Sequence, residues 1–86
     1  MSGPAADRVQ TGVRLEKRLV KVLKALAEIH DLSLGELLER LVVSTFAGRK
    51  PFSEETLARV AELARIYRLD LAAMLDARAE EGRDGE

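Results

Sequence analysis

Residues 26–38 read LAEIHDLSLGELL and residues 63–75 read LARIYRLDLAAML, nearly one phrase written twice, 37 positions apart. Six positions are identical: Leu26/Leu63, Ala27/Ala64, Ile29/Ile66, Leu32/Leu69, Leu34/Leu71 and Leu38/Leu75. His30 pairs with Tyr67, and Ser33 with Asp70. Each copy has the layout of an amphipathic helix end, a short corner, a capping residue and the start of a second helix. A chain this short forms one domain with a modest core, and small helical domains often complete their core by dimerising.

The flanks of the first phrase extend it. From Glu16 the apolar residues Leu19, Val20, Leu23, Leu26, Ala27 and His30 fall on one helical stripe among lysines and arginines, and this helix should end near His30–Asp31. Ser33, with Glu36 three residues on, predicts a capping box for a second helix running through Leu37, Leu38, Leu41, Val42 and Phe46 to Gly48. GRKPF is a hinge, because Pro51 cannot extend a helix and constrains Lys50 before it. Ser53 caps a third helix carrying Leu57, Val60, Ala61, Ala64 and Tyr67. Asp70 caps a shorter fourth with Leu71, Met74 and Leu75. The expected organisation is a flexible arm over 1–7, a first module over 8–48, a helical hairpin extension over 49–80 and a disordered tail over 81–86.

Composition narrows the function. There is no cysteine, so disulfides, zinc–thiolate sites and cysteine nucleophiles are excluded and an intracellular setting is the default. No apolar run approaches the ~20 residues of a membrane span. MSGPAADR lacks the basic-then-apolar layout of a signal peptide, so the expected location is cytoplasmic. The formal charge of −1 hides a split: residues 1–50 carry nine Lys or Arg against six Asp or Glu, and residues 51–86 carry five Arg against nine acids. A positive and a negative half suggest separate jobs. Asp76, Glu80, Glu81 and Asp84 lack the spacing of a calcium loop and read as a solvated end. His30, the only histidine, reads as a satisfied or partly buried structural residue. With no nucleophile–base pair, phosphate-cradling glycine loop or metal-ligand cluster, no cofactor is expected and the chain does not read as an enzyme.

The stretch RVQTGVRL, Arg8 to Leu15, departs from the helical grammar. Val9, Thr11, Val13 and Leu15 alternate with Arg8, Gln10, Gly12 and Arg14, the period-two mark of a short strand. A lone strand needs a partner. Nothing else in the chain reads as one, so the expected partner is the same strand of a second copy, in an obligatory two-fold dimer. One face of that ribbon would cover the helices and the other would enter a DNA major groove, where Arg and Gln read base edges.

Strand, amphipathic helix, corner and Ser-capped helix together resemble the ribbon-helix-helix fold of the Arc/MetJ/CopG type of DNA-binding regulators, over VQTGVRLEKRLVKVLKALAEIHDLSLGELLERLVVSTFA, residues 9–47. The resemblance implies a mainly α fold with one intersubunit strand, two helices and an added C-terminal two-helix extension. It implies that Gln10, Gly12 and Arg14 face the bases and that the start of the second helix, Ser33, Leu34 and Gly35, is clamped on a backbone phosphate. A helix N-terminus suits a phosphate on physical grounds too. Lys17 and Arg18 would reach phosphates beside the ribbon. Val9, Thr11, Val13 and Leu15 would form its inner face, over a dimer core of Leu19, Leu23, Leu26, Leu38 and Leu41.

The rival fold is all-helical, since LAEIHDLSLGELLERLV also reads as a helix-turn-helix; its second helix would then offer DNA Leu34, Glu36 and Glu39, a poor surface. The second phrase keeps the apolar positions and drops the strand. It reads as an added module that packs through Val22, Ile29 and Leu34 or receives a protein partner. Two functions follow. One is a homodimeric regulator of double-stranded DNA, a repressor or an antitoxin-like autoregulator, with higher-order assembly on DNA open to it. The other is a dimeric interaction or scaffold protein with little specific DNA binding. Neither involves a membrane.

Overall fold

The structure, a computed structural model of the chain, describes residues 7–77. Residues 1–6 of the expected arm, residues 78–80 of the extension and the whole expected tail lie outside the described residues. Four helices follow in order: α1, Lys17–Ile29; α2, Leu34–Phe46; α3, Glu54–Tyr67; and α4, residues 71–77, a helix as far as the described residues run.

Each helix starts where a side-chain oxygen takes up amide protons that have no partner inside the helix. Glu16, extended at the head of α1, accepts the Leu19 N–H at 2.8 Å. Ser33 and Glu36 form the reciprocal box of α2: Ser33 Oγ accepts the Glu36 N–H at 3.1 Å, and the Glu36 carboxylate accepts the Ser33 N–H at 2.9 Å. Ser53 accepts the Thr56 N–H at 3.1 Å, and Asp70 accepts the Ala73 N–H at 3.0 Å.

The repeated phrase has a physical cause at the helix ends. Asp31 and Arg68 occupy matching places and both are left-handed, with φ of 62° and 60°. At each corner the next leucine donates its N–H back to an alanine carbonyl, Leu32 to Ala27 and Leu69 to Ala64, both at 2.8 Å. This is the Schellman closure, which also brings those two side chains into apolar contact. Ala and Leu recur in both phrases where an apolar contact accompanies the closure. Gly48, with φ of 77°, closes α2 the same way.

α1 is the central helix. One side of its stripe (Leu23, Leu26 and Ala27) packs with Leu37 of α2, joined by half-buried Leu32, Leu34, Leu38, Leu41, Phe52, Val60 and Leu63. The adjacent side, through Val22, packs with Ala64 and Leu69. Leu19 and Leu63 touch both clusters. Leu26 is 1% exposed, and burying a leucine that fully is worth about 1.5–3 kcal/mol relative to leaving it in water. Val22 lies off the main stripe and, as expected of a packing position for the second hairpin, is buried against Ala64 and Leu69, while Ile29, expected beside it, is exposed and Leu34 packs in the first cluster. His30, expected on the core side, is exposed.

The expected strand does not form. Residues 8–16 have no regular secondary structure, and the described residues contain helices and no strand. The ribbon-helix-helix assignment therefore falls, and with it the intersubunit ribbon; the all-helical alternative is the class observed. Period-two alternation marks a segment able to pair, but pairing needs a second edge to complete its ladder, and the described residues supply none. The apolar residues of the segment cover no helix: Val9 is 85% and Val13 70% exposed.

Candidate nucleic-acid interface

Gln10, Gly12 and Arg14 are all exposed, in an irregular segment leading into α1, and Lys17 and Arg18 continue the exposed run into its first turns, followed by Lys21. The one acidic side chain among residues 8–21, Glu16, is also exposed and caps α1 by accepting the Leu19 N–H. Among the described residues Arg14, Lys17, Arg18 and Lys21 form no ion pair. No Cβ placed on Gly12 would meet anything within 4 Å, so the backbone is open on that side. The result is a solvated basic face with an amide and a guanidinium on its extended part.

Arg8 departs from this set. Its guanidinium donates to the Glu39 carboxylate at 2.8 Å and ties the segment to α2. Between segment and helix lies an open groove of about 960 Å³, lined by Val9, Thr11, Val13, Leu38, Val42 and Val43, with Glu36 and Glu39 on its rim. Gln10 also lines this groove, whereas Gly12 and Arg14 do not. The strict alternation of faces read from the sequence is thus lost along with the strand.

At the start of α2, Ser33 is committed to the capping box. Leu34 turns its side chain into the core, and Gly35 is exposed with nothing within 4 Å of a Cβ built on it. The Leu34 and Gly35 amides have no intrahelical acceptor and point toward the N-terminal end, as an anion requires. The Glu36 carboxyl is held below its ordinary value, first by the Ser33 backbone N–H, then by the Ser33 side chain, with Arg40 and Arg8 adding attraction. That end therefore keeps a negative charge beside its free amides.

The residues expected in a dimer core divide. Leu23 and Leu26 are buried, and Leu19, Leu38 and Leu41 half-buried, within the single chain, whereas Val9, Thr11, Val13 and Leu15 stand exposed. The sequence reading missed two features. The Arg8–Glu39 tie joins positions 31 apart with no signal in between. The outer face of α2, with Val42, Val43 and Phe46 exposed, was not singled out as a surface. Its signal was present: seven apolar residues in the thirteen of LGELLERLVVSTF are more than one helix face can bury.

Among the described residues no group of three or more His, Cys, Asp or Glu is placed to hold a metal ion, and no helix is long and apolar enough to cross a membrane. Glu80, Glu81 and Asp84 lie outside the described residues. No protein-family model matches the chain, and no curated protein or solved structure is significantly similar to it.

Proposed function

We propose that the chain is a DNA-binding transcriptional regulator, acting as a homodimeric repressor or autoregulator in the cytoplasm, and that the basic face over residues 10–21 meets the DNA. The observation that carries this reading is the unpaired, exposed run of Gln10, Arg14, Lys17, Arg18 and Lys21, whose one acidic neighbour is spent on a helix cap. Arginine and glutamine form paired hydrogen bonds with base edges, which suits Arg14 and Gln10 to reading sequence from an extended segment. Gly12 between them lets the backbone come close. Lys17 and Arg18 neutralise phosphates and set the register. The open amides of Leu34 and Gly35, beside the Ser33 cap, offer a further phosphate contact.

The alternative is a dimeric scaffold with little specific DNA binding. The carboxylates of Glu36 and Glu39 beside the segment favour it, because they repel phosphates.

Fluorescence anisotropy with the duplex upstream of the protein's own gene, run across a salt series, separates the two. For the regulator, binding weakens steeply with salt. Arg14→Ala then costs about 1–3 kcal/mol and flattens the preference for that duplex over a scrambled one, while Lys17→Ala weakens both equally. Binding that is absent, or indifferent to Arg14→Ala in a folded protein, leaves the scaffold.

A further inference from the structure

The two copies of the repeated phrase carry the same leucines in different surroundings. Leu34 and Leu38, on α2, are half-buried in a core to which α3 contributes Val60 and Leu63. Their mates on α4, Leu71 and Leu75, are 42% and 71% exposed. The first hairpin has a third helix packed against it, and the second, among the described residues, has none. One turn apart, Leu71 and Leu75 present a single apolar edge.

Another helix carries the opposite problem. α2 packs inward through Leu37 and turns Val42, Val43 and Phe46 outward, the phenylalanine 85% exposed. Valines one turn from a phenylalanine make an apolar ridge with no partner in this chain. The charges beside the two faces are complementary. Arg8, bound to Glu39, lines the groove of Val42 and Val43 together with Glu36, which leaves one carboxylate in excess, and Arg65 and Arg68 line the cleft of Leu71 together with Asp70, which leaves one guanidinium in excess. Neither arginine has an ion-pair partner among the described residues.

We propose that two copies of the chain associate through these unlike faces: Val42, Val43 and Phe46 on α2 of one copy pack on Leu71 and Leu75 of the other, with Glu36 opposite Arg65 and Arg68. The second hairpin then receives from a second copy the crossing helix that the first hairpin has from its own chain. Applied reciprocally about a two-fold axis, the contact forms twice and closes at two copies. The inference rests on the homodimeric part of the function proposed above. It leaves Arg14 and the basic face free, so loss of DNA binding and loss of association are read by different variants.

Analytical ultracentrifugation of the full chain tests it with Val43→Glu, Leu75→Glu and their mixture. All three residues concerned, Val43, Phe46 and Leu75, are more than half exposed, so the variants should keep the helical circular dichroism of the parent; Phe46→Ser gives a second probe of α2. The expected result is a dimer for the parent at about 100 µM, a concentration that populates even weak dimers. Each variant alone is then monomeric, and an equimolar mixture of Val43→Glu and Leu75→Glu recovers dimers, because one copy brings an intact α2 and the other an intact α4. A monomeric parent overturns the proposal. So does a Leu75→Glu protein that dimerises like the parent, the result for an interface of α2 against α2. A mixture that stays monomeric overturns it as well.

Discussion

The two hairpins share a corner and differ in what surrounds it. In both, an alanine carbonyl accepts a leucine N–H at 2.8 Å around a left-handed residue. Only the first is enclosed, with Leu26 and Leu37 sealed between three helices. The second holds to the rest through Val22, Ala64 and Leu69 and leaves its last helix open on one side. A local closure is thus written in a few residues and can be copied, whereas a core depends on which helix arrives to cover it.

The sharpest way to break the likeness is to truncate the matched leucines. Leu26→Ala empties a fully enclosed site and should cost about 3–4 kcal/mol, within the range for such cavities. Leu63→Ala removes a half-buried side chain whose site water can refill, and about half that loss is expected. Denaturant unfolding of both variants measures the difference, and equal losses would mean the two hairpins are equally enclosed.

The caps come next. Ser33→Ala opens the reciprocal box of α2 and should cost about 1 kcal/mol, and Asp70→Ala, which removes one acceptor from the start of α4, should cost less. The box also carries a pH signature. The Glu36 carboxyl is depressed below its ordinary 4.5 in the folded protein, chiefly by the Ser33 N–H, so its contribution is complete above that value and drains away as pH falls through the folded one. In an acid titration of thermal stability, Glu36→Gln, which keeps an acceptor for that N–H, should lose less than the parent below pH 4.5.

The smallest effects sit at the corners themselves. Arg68 has a side chain at φ 60°, where glycine carries no penalty, so Arg68→Gly should stabilise by about 0.5–1 kcal/mol. Asp31→Gly, at φ 62°, should gain less, because aspartate tolerates this conformation better than arginine. Melting temperatures of the two variants rank them.

These contrasts mark what was legible in the sequence. Ser33 with Glu36, Ser53, Asp70 and Gly48 each announce a helix boundary, because capping is settled within a few residues of chain. The six repeated apolar positions announce two corners for the same reason. The strand over Arg8–Leu15 misled because alternation states only that a segment could pair, while pairing depends on an edge elsewhere. Val22 was legible as an apolar residue off the main stripe of α1 and free to receive the second hairpin, and it is buried against Ala64 and Leu69, whereas Ile29, named with it, is 46% exposed. The candidate DNA-facing residues were visible as a run of charge. That Arg8 leaves the run for Glu39 depends on how α2 lies beside the segment, and no local pattern encodes that.

The packing of α3 back onto α1 also has a kinetic side. Corners, caps and the α1–α2 hairpin need only neighbours in the chain, so they can form early and independently. Contact between Val22 and the Ala64–Leu69 corner requires the whole stretch of α2 and its flanking turns to close as a loop, at an entropic cost that rises only slowly with its length. A helical chain with one such closure belongs among the fast folders, in the microsecond to millisecond range. Its speed should depend mainly on how firmly α2 shortens the path between the two ends that must meet.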